Sequence, residues 1–477
     1  MQRQYFLPIV LTLMWVTGIS AEEVEIIRDQ WGVAHVYAKG EEALFWGAGY
    51  ATAEDRLLQM TLIRRKAQGR LSEILGPGEN NRNVESDTLS RTLNVAENAR
   101  RELTVMDPTD RANLHAFAAG INRCMEHRKR RLPPLFEKLG GHPAPWSADH
   151  SLAIWMRLAV DFDRAWRAEV KAKRQFENNP DAYRVDETRR NQAPAIDDAA
   201  AIVSEQEFRR SWPATYDKLM NHAQKKKRAA FFHPLPPPQS IKASHNWVVS
   251  GQRSTTGKPI LGGKPQLTVQ NPNTTYEIHM TGGRYNVRGM TWPGEPAFLV
   301  GFNERCSWAA TAMNTDGGDL FEETINPQNP NQYQFRNEWL EFTHRQERIE
   351  VKEGPTIELD IRESIHGPVV NHLVEGEQPG EVFTLKSTYA PAKTSSINGM
   401  LKMMRAKDWD SFRDGMRDYV APGAHIVYGD VDGNIGYQSL AQIPTRDFKI
   451  TLPRNGSSGK DEWEMLPFEF MPSILNP

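Results

Sequence analysis

Two cysteines in 477 residues, Cys124 and Cys306, are too few for a disulfide-stapled fold or a cysteine-based zinc cluster. No charge of one sign dominates: 58 Lys and Arg face 60 Asp and Glu, a formal net charge of −2. That balance gives no reason to expect a basic nucleic-acid binder, and there is no acidic tail. Beyond residue 21, no stretch is long and apolar enough for the roughly 20 residues of a membrane-spanning helix. A Gly-x-Ser-x-Gly elbow is missing, which leaves an α/β-hydrolase nucleophile unsupported, and no His-Glu-x-x-His zinc helix occurs. Residues 251–259 approximate a phosphate loop, but the spacing is one residue too long, and Pro259 stands where a magnesium-binding hydroxyl belongs. The glycine of Asp430-Val-Asp432-Gly433-Asn434 comes too early for an EF-hand; a tight turn between strands is the better reading.

What is present is material for a packed interior. The 13 Trp and 19 Phe supply large buriable surfaces, and the length predicts roughly two to four domains. At the N-terminus, Arg3 precedes an apolar run over 5–19, then Ser20 and Ala21, then Glu22 and Glu23. This pattern predicts a signal peptide over 1–21 and a periplasmic or secreted protein, with an uncleaved anchor as the alternative. In such a compartment Cys124 and Cys306 could pair, although no feature of the sequence requires it.

Residues 22–188 read as mainly helical. A short strand over 24–28 leads into a helical stretch over 41–75, with apolar Leu57, Met60 and Leu62 at helical spacing. Asp107 followed by Pro108 marks a helix start that runs to about residue 128. Residues 189–243 are polar and Ala-rich, contain a basic run at 225–228 that reads as a solvated face, and end in a Pro-rich segment. They predict an exposed connector. From residue 244 onward, short β-type runs at 248–249, 259–261, 276–280, 298–300 and 383–385 alternate with Gly, Pro, Asn and Asp. One helix is expected at 407–417.

One constellation carries chemistry. Its first block is Arg28-Asp29-x-x-Gly32-Val-x-His35, followed by Gly49-Tyr50-x-x-Ala53-x-Asp55-Arg56-x-x-Gln59-Met60. Arg64-Arg65-x-x-x-Gly69-Arg70 and Pro143-x-Pro145-Trp146-Ser147 follow. The second block is Ser244-His245-Asn246-Trp247-Val-Val-Ser-Gly251, running through Gly257-Lys258-Pro259 to Pro265-Gln266. Beyond it come Gly301-x-Asn303, Ser307-Trp308, 430–437 and Leu466-Pro-Phe-Glu469. Taken as a set, these residues resemble the penicillin amidase (penicillin acylase) family of N-terminal-nucleophile hydrolases over nearly all of 24–477 except the connector.

The resemblance implies an α+β chain: a mainly helical light chain (22–188), a spacer (189–243) removed on maturation, and a sheet-rich heavy chain from Ser244. The implied core is a four-layer αββα sandwich. Cleavage just before Ser244 would free an α-amine, with an ordinary pKa of roughly 7.7–8.0, to act as base for the serine's own Oγ. The resemblance further implies that Ala312 offers its backbone N–H to an oxyanion, that Gln266 supports the pocket, and that Arg446 stabilises the site. At His425 the family carries an Asn whose amide donates to the oxyanion. A neutral imidazole retains one N–H for that task; the alternative is an ordinary strand histidine. His245 is a milder departure, at a position where many members carry Asn. Asp316, Gly318 and Asp319 match a structural calcium loop, with Glu169 as a ligand from the helical chain; a solvated turn is the alternative. No organic cofactor is implied.

The activity implied is an exported, self-processing amidohydrolase, a light and heavy chain heterodimer, acting on a penicillin-type or N-acyl-homoserine-lactone-type amide. The family's heavy chain continues for several hundred residues beyond the point matching Pro477. This motivates a second expectation: a C-terminally truncated relative that serves in binding or assembly, or that needs a second polypeptide to supply the rest.

Overall fold

A computed structural model describes residues 23–129, 132–139, 141–179, 244–267, 270–313, 315–389, 393–446 and 452–477. The expected signal peptide (1–21), the connector (189–243) with its basic run, and the last residues of the expected light chain lie outside the described residues.

The N-terminal half is helical after a two-strand start, β1 (Glu25–Arg28) and β2 (Ala34–Tyr37). Helix α1 (Glu41–Ala67) is shorter than the 41–75 expected, because Gly69 takes φ +64° and turns the chain before α2 (Ser72–Leu75). Then follow α3 (Arg82–Thr92), α4 (Val95–Val105), α5 (Pro108–Arg128), α6 (Leu135–Lys138), α7 (Ala148–Phe162) and α8 (Glu169–Asn178). Helix α5 starts where the sequence predicts: the Asp107 carboxylate accepts the Thr109 N–H at 2.9 Å and the Asp110 N–H at 3.4 Å. Helices α1 and α5 meet backbone to backbone. A Cβ on Gly49 would lie 2.0 Å from the Phe117 carbonyl oxygen, and one on Gly120 would lie 1.9 Å from that of Trp46.

The C-terminal half is strand-rich. Strands β3 (His245–Val249) and β4 (Ile260–Lys264) form a hairpin. Next come β5 (Tyr276–Gly282), β6 (Tyr285–Thr291), β7 (Val300–Asn303), β8 (Cys306–Ala312) and β9 (Gly318–Glu322). Strands β10 (Ile325–Asn326), β11 (Asn329–Phe335) and β12 (Glu338–Glu341) make one small sheet. Strands β13 (Thr343–Ile349), β14 (Ile357–Ser364) and β15 (Gly367–Pro368) make another. After β16 (Phe383–Ser387) come two helices, α9 (Ser396–Met404) and α10 (Trp409–Met416). The chain ends with β17 (Ala424–Asp430), β18 (Ile435–Leu440), β19 (Arg454–Asn455) and β20 (Ser473–Leu475).

Where one helix was expected in this half, there are two. Helix α10 is capped by the Asp408 carboxylate, which accepts the Ser411 N–H at 2.8 Å. Helix α9 was not expected; Asn398 and Gly399, poor helix formers, lie in its first turn. Gly399 is demanded by packing, since a Cβ there would lie 2.8 Å from the Gly415 carbonyl of α10. The turn expected at 430–434 is present, with Asp430 Oδ1 accepting the Asp432 and Asn434 amides at 3.0 and 2.9 Å. Both cysteines are buried free thiols.

Nine strands in the order β1-β2-β5-β6-β7-β8-β17-β18-β20 build the main sheet, antiparallel except where β2 runs parallel to β5. Alternation divides its two faces. On one face Trp308, Ile426 and Tyr428 are fully buried beneath α9 and α10; Tyr428 meets Trp409 and Phe412 at ring centroids of 5.2 and 5.0 Å. On the other face sits the β3–β4 hairpin. A Cβ on Gly429 would lie 3.3 Å from Pro259 and 3.5 Å from Val248, and one on Gly263 would lie 2.3 Å from the Ala309 Cβ. The described residues thus supply helix, sheet and hairpin layers around the centre of the main sheet.

The two halves are joined by polar contacts as well as by one continuous apolar core. Arg405 forms a bidentate pair with the fully buried Asp110 at 2.8 and 2.9 Å and also reaches the Tyr285 hydroxyl. The Trp155 indole N–H donates to the Ala421 carbonyl at 2.7 Å. Asp55 accepts from Arg28 and from the Tyr276 hydroxyl, each at 2.7 Å.

Two further acids are buried at this junction. Burial pushes Glu102 up to about 7, against weaker lowering by the Ser395 hydroxyl and the Ser396 amide, and raises Glu295 well above the usual carboxylate range. At these two groups the native state binds more protons than the unfolded one between about pH 4.5 and 7, so their contribution to stability falls as pH rises through that window. Glu102→Gln is expected to remove a share of that slope on the order of 2–3 kcal/mol. Urea unfolding at a series of pH values measures it; an unchanged slope counts against a buried, protonated Glu102.

Candidate active site

Ser244 stands immediately before β3, half-buried, in step with Asn246 and Val248 on the hairpin face that lies against the main sheet. Its Oγ accepts the backbone N–H of Gln266 at 3.3 Å, so two expected site residues meet at the open end of the hairpin. Outward-pointing His245 and Trp247 alternate with them and are exposed. The main sheet reaches back to the same place through Asn246. Its side-chain amide donates to the Ala309 carbonyl of β8 at 3.1 Å and to the His425 carbonyl of β17 at 2.8 Å. One side chain two residues from Ser244 therefore locks the hairpin onto the two central strands.

Those strands carry the other expected residues. Ala312 ends β8 opposite Ala424, and Thr311 pairs with His425. On β17, His425, Val427 and Gly429 alternate onto the hairpin face, whereas Ala424, Ile426 and Tyr428 enter the core. His425 is thus on the same side of the sheet as Ser244. Burial lowers its pKa, which keeps the imidazole neutral at pH 7. Its Nδ1 lies 2.7 Å from the hydroxyl of Tyr437 on β18, and burial pushes that phenol up to about 12. Where β8 and β17 run out, Met313 donates its N–H to the Gly423 carbonyl at 2.8 Å. A cavity of about 300 Å³ opens there, walled by Phe162, Asp163, Met313, Thr315, Pro422 and Gly423 among others.

Arg446 lies in an acidic cluster, two of whose members, Asp163 and Asp316, line this cavity. It donates to Asp319 Oδ2 at 2.7 Å and to the Asp316 backbone carbonyl, and pairs with the Asp316 carboxylate at 3.4 Å. Glu169, the first residue of α8, accepts the Leu320 N–H at 3.0 Å. Gly318 opens β9, paired with Ser387 of β16. The expected calcium residues are therefore brought together from both halves, and an acid that sequence reading missed, Asp163, joins them. Burial, with Asp316 next in effect, pushes Asp163 up to about 7. Burial pushes Asp316 up to about 6 against the influence of Arg446. Burial and then Asp319 and Asp316 raise Glu169 well above the ordinary range. For Arg446, burial alone would lower the pKa, but Asp319 and Asp316 outweigh it and raise it.

Both carboxylate oxygens of Asp163 and one of Asp316 are buried without a well-formed hydrogen bond. Such orphaned hard oxygen donors, crowded enough to repel one another, have the chemistry that suits a calcium ion. Arg446 supplies positive charge among them in this arrangement, and among the described residues no three acids or histidines converge on a single point.

Sequence reading placed Asn246 and Tyr437 inside matching blocks without assigning them work. Their roles come from strand register, and the position of Asp163 comes from the turn after α7.

A serine at the head of a strand, held by its hairpin against the two strands that carry Ala312 and His425, makes a candidate nucleophile site in a layered α+β protein. The chain belongs to the penicillin amidase family, whose model matches residues 23–477. It is 30% identical to "Penicillin acylase 2 proenzyme" of Pseudomonas sp. strain SE83, over 99% of this chain and 59% of that protein. With "Penicillin G acylase" of Escherichia coli it shares 26% identity over 96% of this chain and 58% of the relative. With "Acyl-homoserine lactone acylase QuiP" of Pseudomonas aeruginosa strain PAO1 it shares 26% over 93% and 52%. The chain therefore spans between about half and three-fifths of the length of these relatives.

Removing the Asn246 amide takes two hydrogen bonds from carbonyls that also sit in the β8–β17 ladder. At roughly 0.5–1.5 kcal/mol per hydrogen bond, Asn246→Ala is expected to cost about 1–3 kcal/mol of stability. Asn246→Asp should cost more, because a carboxylate would face both oxygens. Urea unfolding of both variants reads this out, and a fully stable Asp variant would contradict the bridging role.

Proposed function

We propose that this chain is an exported, self-processing amidohydrolase that attacks an acylated amine with Ser244. The observation that carries the reading is the placement of Ser244, with the Gln266 amide on its Oγ and Asn246 tying it to the strands of Ala312 and His425. Cleavage of the bond before Ser244 frees an α-amine. That amine takes the Oγ proton as Oγ attacks the substrate carbonyl. The tetrahedral oxyanion is stabilised by the Ala312 backbone N–H and the His425 imidazole N–H, a donor of this kind being worth about 2.7–4 kcal/mol. The protonated amine returns its proton to the leaving amine. Water then attacks the acyl ester, releasing the carboxylic acid and Ser244. The cavity beside Met313 and Phe162 offers room for the acyl group. The names of the relatives favour a penicillin-type or N-acyl-homoserine-lactone-type amide.

The halves are held by contacts that do not involve the bond cut before Ser244, as a light and heavy chain heterodimer requires. Calcium belongs to this reading: Asp316, Asp319 and Glu169, with Gly318, would hold it by drawing in from the separated positions they have here, and it would neutralise the repulsion among the buried acids.

Expression of the whole chain is expected to yield two polypeptides, the larger beginning at Ser244 by N-terminal sequencing, while Ser244→Ala stays uncut and inactive. A single uncut, active product would overturn the reading. Millimolar calcium is expected to raise Tm by about 5 °C over chelator-treated protein. Asp316→Asn together with Asp319→Asn should abolish that shift, as followed by thermal unfolding.

A further inference from the structure

The geometry points to Tyr437 as a positioning residue that fixes which nitrogen of His425 carries the proton, and so aims the Nε2–H at the substrate oxyanion. The inference rests on the amidohydrolase reading and concerns a pair that replaces a simple amide donor.

A neutral imidazole has one N–H and one lone pair, and only one of its two tautomers can donate from Nε2. What the other nitrogen meets selects the tautomer. Here Nδ1 meets the Tyr437 hydroxyl at 2.7 Å. The phenol is the stronger acid of the two neutral groups, so the favoured bond runs from Tyr437 O–H to the Nδ1 lone pair. Burial keeps both partners neutral, since it raises the phenol and lowers the imidazole. The proton of His425 is then on Nε2, which makes no hydrogen bond among the described residues.

Strand register makes the contact. Tyr437 pairs with Val427, which sets it diagonally across from His425 on the hairpin face; the two rings stack with centroids 5.9 Å apart and planes inclined by 28°. Gly436 and Gln438 point the other way, Gly436 directly under Trp409. Tyr437 therefore shares the face of His425 and Ser244. It clamps the ring's Nδ1 edge and leaves the Nε2 edge for a ligand.

The test has two readouts. Nitrogen-15 NMR of histidine-labelled protein, with the His425 signals assigned by their loss in His425→Asn, is expected to show an unprotonated Nδ1 and a protonated Nε2. In Tyr437→Phe the two signals should move toward each other as the second tautomer becomes populated. A protonated Nδ1 in the parent protein, or signals unmoved by Tyr437→Phe, overturns the proposal whatever the activity. In kinetics, Tyr437→Phe is expected to lower kcat about tenfold or more, as loss of an orienting partner commonly does, with KM changed little. In the His425→Asn background, where an amide needs no tautomer fixed, the same substitution should leave kcat unchanged. Equal losses in both backgrounds would make Tyr437 a merely structural residue and overturn the proposal. Absence of amide hydrolysis in every variant would sink the enzymatic reading, while the NMR result would still decide the tautomer.

Discussion

The site depends on the two hydrogen bonds made by the side-chain amide of Asn246. The β3–β4 hairpin has only two strands, and a two-stranded unit is at best marginal alone in water. It is held by packing on the main sheet and by this amide, which spans the β8 and β17 carbonyls. Both acceptors belong to strands that also pair with each other, so the amide bonds to a rigid platform. Ser244, two residues away, inherits its position. Glycines permit the close approach: Gly263 and Gly429 leave room where a side chain would force the layers apart.

The join between the helical and sheet-rich halves follows the same physical logic. The proposed removal of the connector requires that the two pieces hold together without it. An apolar core running through both halves supplies the bulk of the attraction, roughly in proportion to area. Buried pairs such as Asp110 with Arg405 add little net stability but penalise any misplaced arrangement, because a buried charge without its partner is costly. The acidic cluster is a second join of this kind. It draws Asp163 and Glu169 from the helical half and Asp316 and Asp319 from the other, and the buried carboxyls meet the cations of Arg446 and Arg454 there.

Much of the local structure was legible in the sequence. Asp107-Pro108 announces α5, Asp430 to Asn434 announces its turn, and Ser244 with its neighbours marks the candidate nucleophile, because caps, turns and strand starts are decided by residues adjacent in the chain. The failures have the same origin reversed. Helix α1 was read too long across Gly69, whose left-handed conformation ends it. Helix α9 was missed because Gly399 answers to the neighbouring helix α10, and Asn398 to Asp107 and Asp418, and not to helix propensity.

By itself, the sequence determined the family, through its set of motifs, and the order of helical and strand-rich halves. The second is encoded by periodicity and short-range chemistry, which are properties of neighbours in the chain. Only the tertiary structure decided that Asn246 bridges β8 and β17, that Asp163 joins the acids, and that Tyr437 meets His425. Strand alternation predicts the face on which a side chain emerges, but its neighbour there depends on register and layer packing between segments far apart. A one-residue slip of β18 against β17 would send Tyr437 to the opposite face of the sheet.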